Sequence, residues 1–428
     1  MMDIHKLYQK YRESGKVSTD TRQITSGSVF FALKGDKFNA NAFAAEALSK
    51  GASAAVVDEA TYAVDDRYFL VDNALEALQK LAQHHRSKLT IPVVGLTGSN
   101  GKTTSKELLN AVLSKKYRTY ATKGNLNNHI GVPLTILAID DSVELAIVEM
   151  GANHVGEIAL LCSIANPTHG FITNIGKAHI GTFGGFENII RAKSELYQHL
   201  ITANGQVFIN SENEILSNMA KRFAKPLFYP AKGDYYHCEL LASDPFLRIQ
   251  AESGEEIMTQ LVGGYNFENA AAALCLGKFF GVDAKLANKA VGEYAPGNMR
   301  SQIVKKNSNT IILDAYNANP SSMNAAIENL AGMKADKKVV ILGDMFELER
   351  ETETEHRVIG KLLADKRFES VYLCGKFMKA AVMEIPSAHY FENKDDLLKA
   401  LQQNPVSNAT ILVKASRGIG LESVVEFL

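Results

Sequence analysis

The run Thr97-Gly98-Ser99-Asn100-Gly101-Lys102-Thr103-Thr104 constrains this chain more than any other feature. An apolar stretch at 93–96 precedes it, and a helical pattern with Leu108, Leu109, Val112 and Leu113 on one face follows it. Strand, Gly-rich turn, helix is the context in which a backbone cradles phosphate. Glycines let the amides turn toward an anion, and the helix N-terminus adds its dipole. Lys102 supplies mobile positive charge for the outer phosphates, and the Thr103 hydroxyl directly after it suits Mg²⁺. The match to GxxxxGK[ST] is imperfect: the first glycine belongs at Leu96, and Gly95 falls one residue early. The loop points to a nucleotide triphosphate without specifying a reaction.

A loop of this kind needs a mainly parallel sheet with helices on both faces, and the chain supplies the strands. Apolar runs at 145–148, 170–173 and 207–209 alternate with helical stretches. Residues 235–262 read as a small antiparallel side sheet, and the Ala-rich 266–280 as a buried helix. At 428 residues the chain exceeds one core. Its texture divides into a small α/β unit at 1–88, a central unit at 89–300 and a third at 301–428. In the third, strands at 310–313, 338–342, 370–374 and 410–413 alternate with helices at 321–333, 354–364 and 394–402, a doubly wound pattern. The joints at 89–92 and 296–301 are expected hinges that let the units close on one another.

Charge excludes some functions. Lys plus Arg (46) nearly cancels Asp plus Glu (47), so no global field attracts nucleic acid or an anionic membrane. No segment approaches the roughly 20 apolar residues of a membrane span, and the first fourteen residues hold no apolar run of signal-peptide length. Cys162, Cys238, Cys275 and Cys374 form no CxxC pair. They read as free thiols mostly packed in cores, with Cys238 between His237 and Glu239. The expectation is a cytoplasmic protein with no nucleic-acid partner and no membrane insertion.

Further segments carry a resemblance. The 97–104 loop resembles that of the Mur ligases and their folate-ligase relatives, and the paired threonines lean to the Mur side. Gly124-Asn125-Leu126-Asn127-Asn128-His129-Ile130-Gly131-Val132-Pro133 is similar to a segment of the MurF-type branch of that family. So are Asp314-Ala315-Tyr316-Asn317-Ala318-Asn319-Pro320-Ser321-Ser322-Met323 and Leu342-Gly343-Asp344-Met345-Phe346-Glu347-Leu348. Ser18-Thr19-Asp20-Thr21-Arg22, with the 27–35 run, resembles the family's uridine-nucleotide domain. One departure stands out: the family's D-G-H-x-F run has no histidine counterpart in Phe38-Asn39-Ala40-Asn41-Ala42-Phe43.

The resemblance implies three α/β domains: a small UDP-substrate domain, a central P-loop-type ATP domain and a C-terminal Rossmann-like ligase domain. It implies an ADP-forming ligase of peptidoglycan precursor synthesis, monomeric, using ATP and Mg²⁺. Such an enzyme joins D-alanyl-D-alanine to a UDP-N-acetylmuramoyl-tripeptide through an acyl phosphate. A MurE-type ligase adding one amino acid, or a folylpolyglutamate-type ligase, would share the loop but not the Asn-rich 316–320 run. A nucleotide switch would leave Glu149, Lys193 and the third domain unexplained.

Site residues follow. Glu149 comes directly after an apolar run, and a carboxylate at the C-terminal end of a parallel strand sits where such sheets bind ligands. The resemblance makes Thr103, Glu149, His179 and Lys193 the metal set, with Lys193 carried as a carbamate, and makes Lys102, His179 and Lys193 catalytic. Gly98, Ser99, Asn100, Gly101, Lys102, Thr103 and Thr104 would hold ATP with Asn266, Asn269, Arg300, Asp314 and Asn317. Thr19, Asp20, Thr21, Arg22, Asn127, Asn128 and Asn319 would contact substrate. Read by themselves, Asn266 and Asn269 suit helix capping, Lys193 a surface position beside Glu195, and Arg417 a surface ion pair.

Overall fold

The structure, a computed structural model, describes residues 3–428. Its first sheet is parallel, in the order Val17–Ser18, Val29–Phe31, Ala54–Val57, Tyr68–Leu70. Successive residues of a strand point to opposite faces, and here each face has its own core. Val29, Phe31, Ala54 and Val56 pack toward the Ala74–Arg86 helix, while Phe30, Ala55 and Val57 pack into a smaller cluster with Ala44, Ala47 and Leu48.

The central sheet is six-stranded and parallel, in the order Leu227–Tyr229, Gln206–Asn210, His169–Ile172, Val93–Thr97, Leu145–Glu149, Thr119–Ala121. After Val93–Thr97 the chain builds the two strands on one side and then crosses to the other. The phosphate loop leaves the sheet at that reversal, the place where open α/β sheets bind ligands. Leu145 and Ile147 face the core under the Lys102–Leu113 helix, so Glu149, in phase with them, points to that side. The Phe267–Phe279 helix packs against Lys102–Leu113; Ala270, Ala271, Ala272 and Ala273 are all buried, and their small side chains allow close approach. The side sheet is Glu239–Ala242, Arg248–Gln250 and Glu256–Met258, antiparallel.

The third sheet runs Gln302–Lys306, Asn309–Asp314, Thr410–Lys414, Lys338–Gly343, Ser370–Cys374, His389–Phe391. Only the edge strand Gln302–Lys306 is antiparallel to its neighbour. It carries Lys305 and Lys306 and no apolar run, so it leaves little trace in the sequence; charged residues suit an edge. The Pro320–Gly332 helix begins with a capping box from Asn319 and Ser322.

The joint at 89–92 is braced rather than loose. One buried core runs from Leu7 through the Ala74–Arg86 helix to Ala220. The buried Arg86 guanidinium donates to Ala165 O, Leu89 O and Asn166 O at 2.8–2.9 Å, and Tyr11 Oη donates to Leu137 O at 2.7 Å. The joint at 296–301 differs: Asn298, Met299 and Ser301 all have φ near +50 to +60°, a costly conformation for residues with a Cβ. All four cysteines, Cys238 included, are free and buried. Among the described residues no helix is long and apolar enough to cross a membrane.

Candidate active site

Val93–Thr97 is wholly buried and ends in the phosphate loop. Leu96, which displaces the expected glycine, is a strand residue opposite Glu149, and the turn falls to Gly98. Gly98 has φ +152° and Gly101 φ +77°; a Cβ on Gly98 would overlap Thr173 Oγ1, and one on Gly101 would meet Asn269 Oδ1. Thr173 Oγ1 donates to Asn100 O (2.6 Å), and Asn100 N donates to Asn174 Oδ1 (3.0 Å). The Ser99 hydroxyl bonds both Gly176 O (2.9 Å) and Gly176 N (2.8 Å). Lys102 Nζ donates to Gly98 O (2.7 Å) and Ser99 O (3.2 Å). Burial lowers the Lys102 pKa below its ordinary value, against the pull of Glu149.

Glu149 is 1% exposed. Its Oε1 accepts from Asn127 Nδ2 (2.8 Å) and from Thr103 Oγ1 (3.3 Å), while its Oε2 has no hydrogen-bond partner. Lys106 Nζ stands 4.0 Å from Oε2. A buried carboxylate oxygen left uncommitted beside a hydroxyl fits a hard cation, which takes oxygen ligands.

The other two members of the expected metal set lie differently. His179 lines the cavity with φ +56°, and its Nδ1 is 2.5 Å from Oε2 of Glu347, a third-domain residue. That contact holds the Glu347 carboxyl below its ordinary range. Lys193 is 2% exposed and off the cavity wall; its Nζ sits 3.5 Å from Ala152 O and 5.4 Å from the Phe183 ring centroid. Burial, then Lys102, pushes its ammonium down to about 7. It is no surface lysine, and Glu195 accepts instead from Gly156 N (2.6 Å) and Ala159 N (2.8 Å), bracing the turn below Ala152. Among the described residues no three His, Cys, Asp or Glu side chains form a metal cluster.

A cavity of about 770 Å³ joins these pieces. The central domain contributes Ser99 through Thr104, Asn127, Asn128, Glu149, His179, Asn266 and Asn269; the third contributes Asp314, Asn317, Asn319 and Lys414, and Arg300 lies at the joint. Gly98 packs beneath the loop, outside the lining. Asn266 and Asn269 cap nothing with their side chains. Asn266 Nδ2 donates to Val262 O, Asn269 Nδ2 to Asn266 Oδ1, and Ser105 Oγ to Asn269 Oδ1, each at 2.8 Å, which ties this helix to the phosphate-loop helix. The Arg300 guanidinium lies 3.8 Å from the Tyr316 ring centroid. Asp314 accepts from Lys414 Nζ (2.6 Å) and Ser301 N (3.0 Å).

Some expected substrate contacts are spent locally. Asn127 orients Glu149, and Asn128 Oδ1 accepts from Ile130 N and Gly131 N at the start of the Gly131–Leu137 helix. Asn319 Nδ2 donates to Asn100 Oδ1 (2.8 Å). Thr19, Asp20, Thr21 and Arg22 lie outside the cavity; Asp20 caps the Thr21–Gln23 turn and pairs with Arg22 (2.7 Å). Where the histidine is absent, Asn41 is fully buried and exchanges bonds with Asp58 (2.7 and 3.0 Å). Arg417 pairs with Glu422 at 3.5 Å, as its surface reading has it. Sequence reasoning passed over Asn174, Tyr265 and Glu268 on the wall. Asn174 carries the signal that exposed Glu149, a polar residue just past a parallel strand.

The geometry agrees with the comparisons. Family models match residues 15–86 (Mur ligase family, catalytic domain), 96–277 (Mur ligase middle domain) and 299–417 (Mur ligase, glutamate ligase domain). The UDP-N-acetylmuramoyl-tripeptide–D-alanyl-D-alanine ligase of Bacillus subtilis (strain 168) is 36% identical over 424 residues, 96% of this chain and 92% of that one. The chain belongs to the Mur ligase family. Among solved structures, this Mur ligase is similar to MurF from Acinetobacter baumannii, with TM-score 0.86 at 31% identity, covering 96% of this chain and 92% of that one. The MurF ligase from Thermotoga maritima in complex with ADP gives TM-score 0.84 at 28% identity, covering 96% of each chain. The Mur ligase architecture of three α/β domains is therefore that of the chain as a whole.

Proposed function

We propose that this Mur ligase joins D-alanyl-D-alanine to a UDP-N-acetylmuramoyl-tripeptide, as the names of its relatives describe for them, and that it converts ATP to ADP and phosphate in doing so. The observation that carries this reading is the shared cavity: a phosphate loop and a buried acid on one domain face Arg300, Asp314 and Asn317 at the other. ATP transfers its γ-phosphoryl group to the terminal carboxylate of the tripeptide. The amine nitrogen of the dipeptide then attacks the acyl carbon, loses a proton, and phosphate leaves. Such chemistry depends on placement and on charge cancellation around the phosphoryl group.

In this reading the loop from Gly98 to Thr104 holds the phosphates through the Gly101 to Thr104 amides, which are not spent on Asn174, and through the Lys102 ammonium. Thr103 and the free oxygen of Glu149 would hold Mg²⁺, whose charge offsets that of the transferring group. Asn127 keeps Glu149 in place. Asn266 and Asn269 fix the helix that borders the nucleotide, and Arg300, Asp314 and Asn317 close the site against water, which would otherwise hydrolyse the acyl phosphate. The neutral amine of Lys193 suits carbamate formation beneath the floor. Thr19 to Arg22 serve the uridine end. Domain limits at 88/89 and 300/301 fit the two joints, and free buried thiols suit a reducing cytoplasm. The test is mass spectrometry of the product from a UDP-muramoyl tripeptide, D-Ala-D-Ala and ATP. A mass gain of one D-Ala-D-Ala residue pair, dependent on ATP, is expected; unchanged tripeptide would refute the reading.

A further inference from the structure

We propose that Asn319 is a positioning residue that acts on the phosphate loop through Asn100, so that phosphorylation of the carboxylate requires the third domain to be docked. The proposal rests on the ligase reading above. Three elements meet at Asn100: the loop itself, the segment after His169–Ile172, and the start of the third-domain helix Pro320–Gly332. The Asn319 carboxamide is divided between two tasks. Its Oδ1 accepts from Ser322 N (3.0 Å) and caps the helix, while its Nδ2 reaches across the domain boundary to Asn100 Oδ1 (2.8 Å). Asn319 is 9% exposed and Asn100 is half-buried, so this bond is partly shielded from water.

A second contact lies two residues along. Ser321 Oγ accepts from Lys177 N (2.9 Å), and a Cβ on Gly176 would sit 2.9 Å from that oxygen, so glycine permits the approach. Gly176 is bonded through both backbone groups to the Ser99 hydroxyl, and Asn174 Oδ1 accepts from Asn100 N. Hydrogen bonds and the chain together close a ring: Asn319, Asn100, Asn174, then Ser99 with Gly176, then Lys177 and Ser321. Two of its members are phosphate-loop residues, and two belong to the helix that arrives with the third domain. Lys177 Nζ also pairs with the buried Glu355 of that domain (2.8 Å). Undocking removes both helix contacts and leaves Asn100 Oδ1 without its donor, next to the Gly101 and Lys102 amides that face phosphate. The contact thereby links the state of the loop to the presence of the domain that carries the amine site.

The experiment uses Asn319→Ser and Asn319→Asp in the full chain. Both keep a capping oxygen, and neither presents an N–H to Asn100. One lost part-buried bond corresponds to about a tenfold fall in kcat, with KM for tripeptide and for D-Ala-D-Ala within about threefold and melting temperature held. In an Asn100→Ala background, Asn319→Ser should cost less than about twofold more. A tenfold loss that persists in that background, or a KM rise with kcat intact, overturns the proposal; the latter would make Asn319 a substrate contact. X-ray scattering with a non-hydrolysable ATP analogue gives a readout independent of turnover. Each single variant should be more extended than the parent and the double variant no more extended than the singles, while parent dimensions in every variant overturn the proposal. A parent protein without ligase activity would defeat the proposed function alone, and scattering would still decide the contact.

Discussion

Asp314 and Lys414 occupy the same register position on neighbouring parallel strands, and Lys414 Nζ lies 2.6 Å from Asp314 Oδ2. Lys414 is 2% exposed. Removing its partner would strand a buried ammonium, which typically costs about 3 kcal/mol. Asp314→Ala should therefore lose about 2–3 kcal/mol in urea unfolding, besides any loss of nucleotide affinity measured well below its melting temperature. Unchanged unfolding would show that Lys414 finds another partner.

Lys102→Ala should cut ATP turnover by about 10²–10³, the usual effect of deleting a transition-state electrostatic partner. The fold should survive, since Lys102 bonds only loop carbonyls. ADP release and thermal melting measure the two separately. Near-normal turnover would refute the phosphate-loop assignment.

Lys193 is buried with its ammonium pushed down to about 7, so at neutral pH much of it is a neutral amine. A neutral amine can attack CO₂, forming an N–C bond and releasing a proton to leave a carbamate. Depleting bicarbonate should lower activity and restoring it should recover activity, with a carbamate signal in ¹³C NMR after labelled bicarbonate. Lys193→Ala should be inactive and Lys193→Arg no better; an active Arg variant would sink the idea.

Glu268 lines the cavity, and burial, then Glu212, raises its carboxyl to about 7. A group whose folded pKa is raised holds its proton in the fold after the unfolded chain has released it. Its contribution to stability is complete below about 4.5 and declines as pH rises through 7. Glu268→Gln keeps a neutral polar group at every pH. The variant should melt a few degrees above the parent at pH 8 and level with it at pH 4. Equal melting curves at both pH values would place the charge in a better-solvated setting.

The parallel sheets and the phosphate loop were legible because both rest on local patterns: apolar runs of strand length, and glycines ahead of a lysine at a helix start. Glu149 was legible for the same reason, at the end of such a run. What escaped depends on contacts distant in sequence. Nothing near Arg86 shows that it clamps carbonyls on the Glu157–Ala165 helix and the residue after it, so the 89–92 joint read as a hinge. Asn319 read as a substrate contact because its partner lies 219 residues away. Gln302–Lys306 is an edge strand without an apolar run, and its pairing with Asn309–Asp314 is visible only in the sheet.

The amine substrate should be D-Ala-D-Ala rather than a single amino acid. MurE-type and MurF-type enzymes both activate a carboxylate on a UDP-linked precursor, so the first two domains discriminate poorly. The third-domain wall carries the neutral Asn317, Asn319, Ser321 and Ser322, and its acids Asp314 and Glu347 are already paired with Lys414 and His179. Its nearby cations are engaged: Lys414 with Asp314, Arg300 over the Tyr316 ring, and Arg417 with Glu422. A diamino acid brings extra charged groups that need partners, whereas a dipeptide with methyl side chains brings a neutral peptide bond that amides and hydroxyls can satisfy. A site built around a particular polar group can reject an analogue lacking it by about 10⁴. The check is a competition assay with UDP-muramoyl tripeptide and dipeptide as acceptors, and D-Ala-D-Ala, D-Ala, L-Lys and diaminopimelate as amines. D-Ala-D-Ala should join the tripeptide at least about 10³-fold faster than any single amino acid joins either acceptor. Preferred addition of a single amino acid to the dipeptide acceptor would move the enzyme to the MurE-type class.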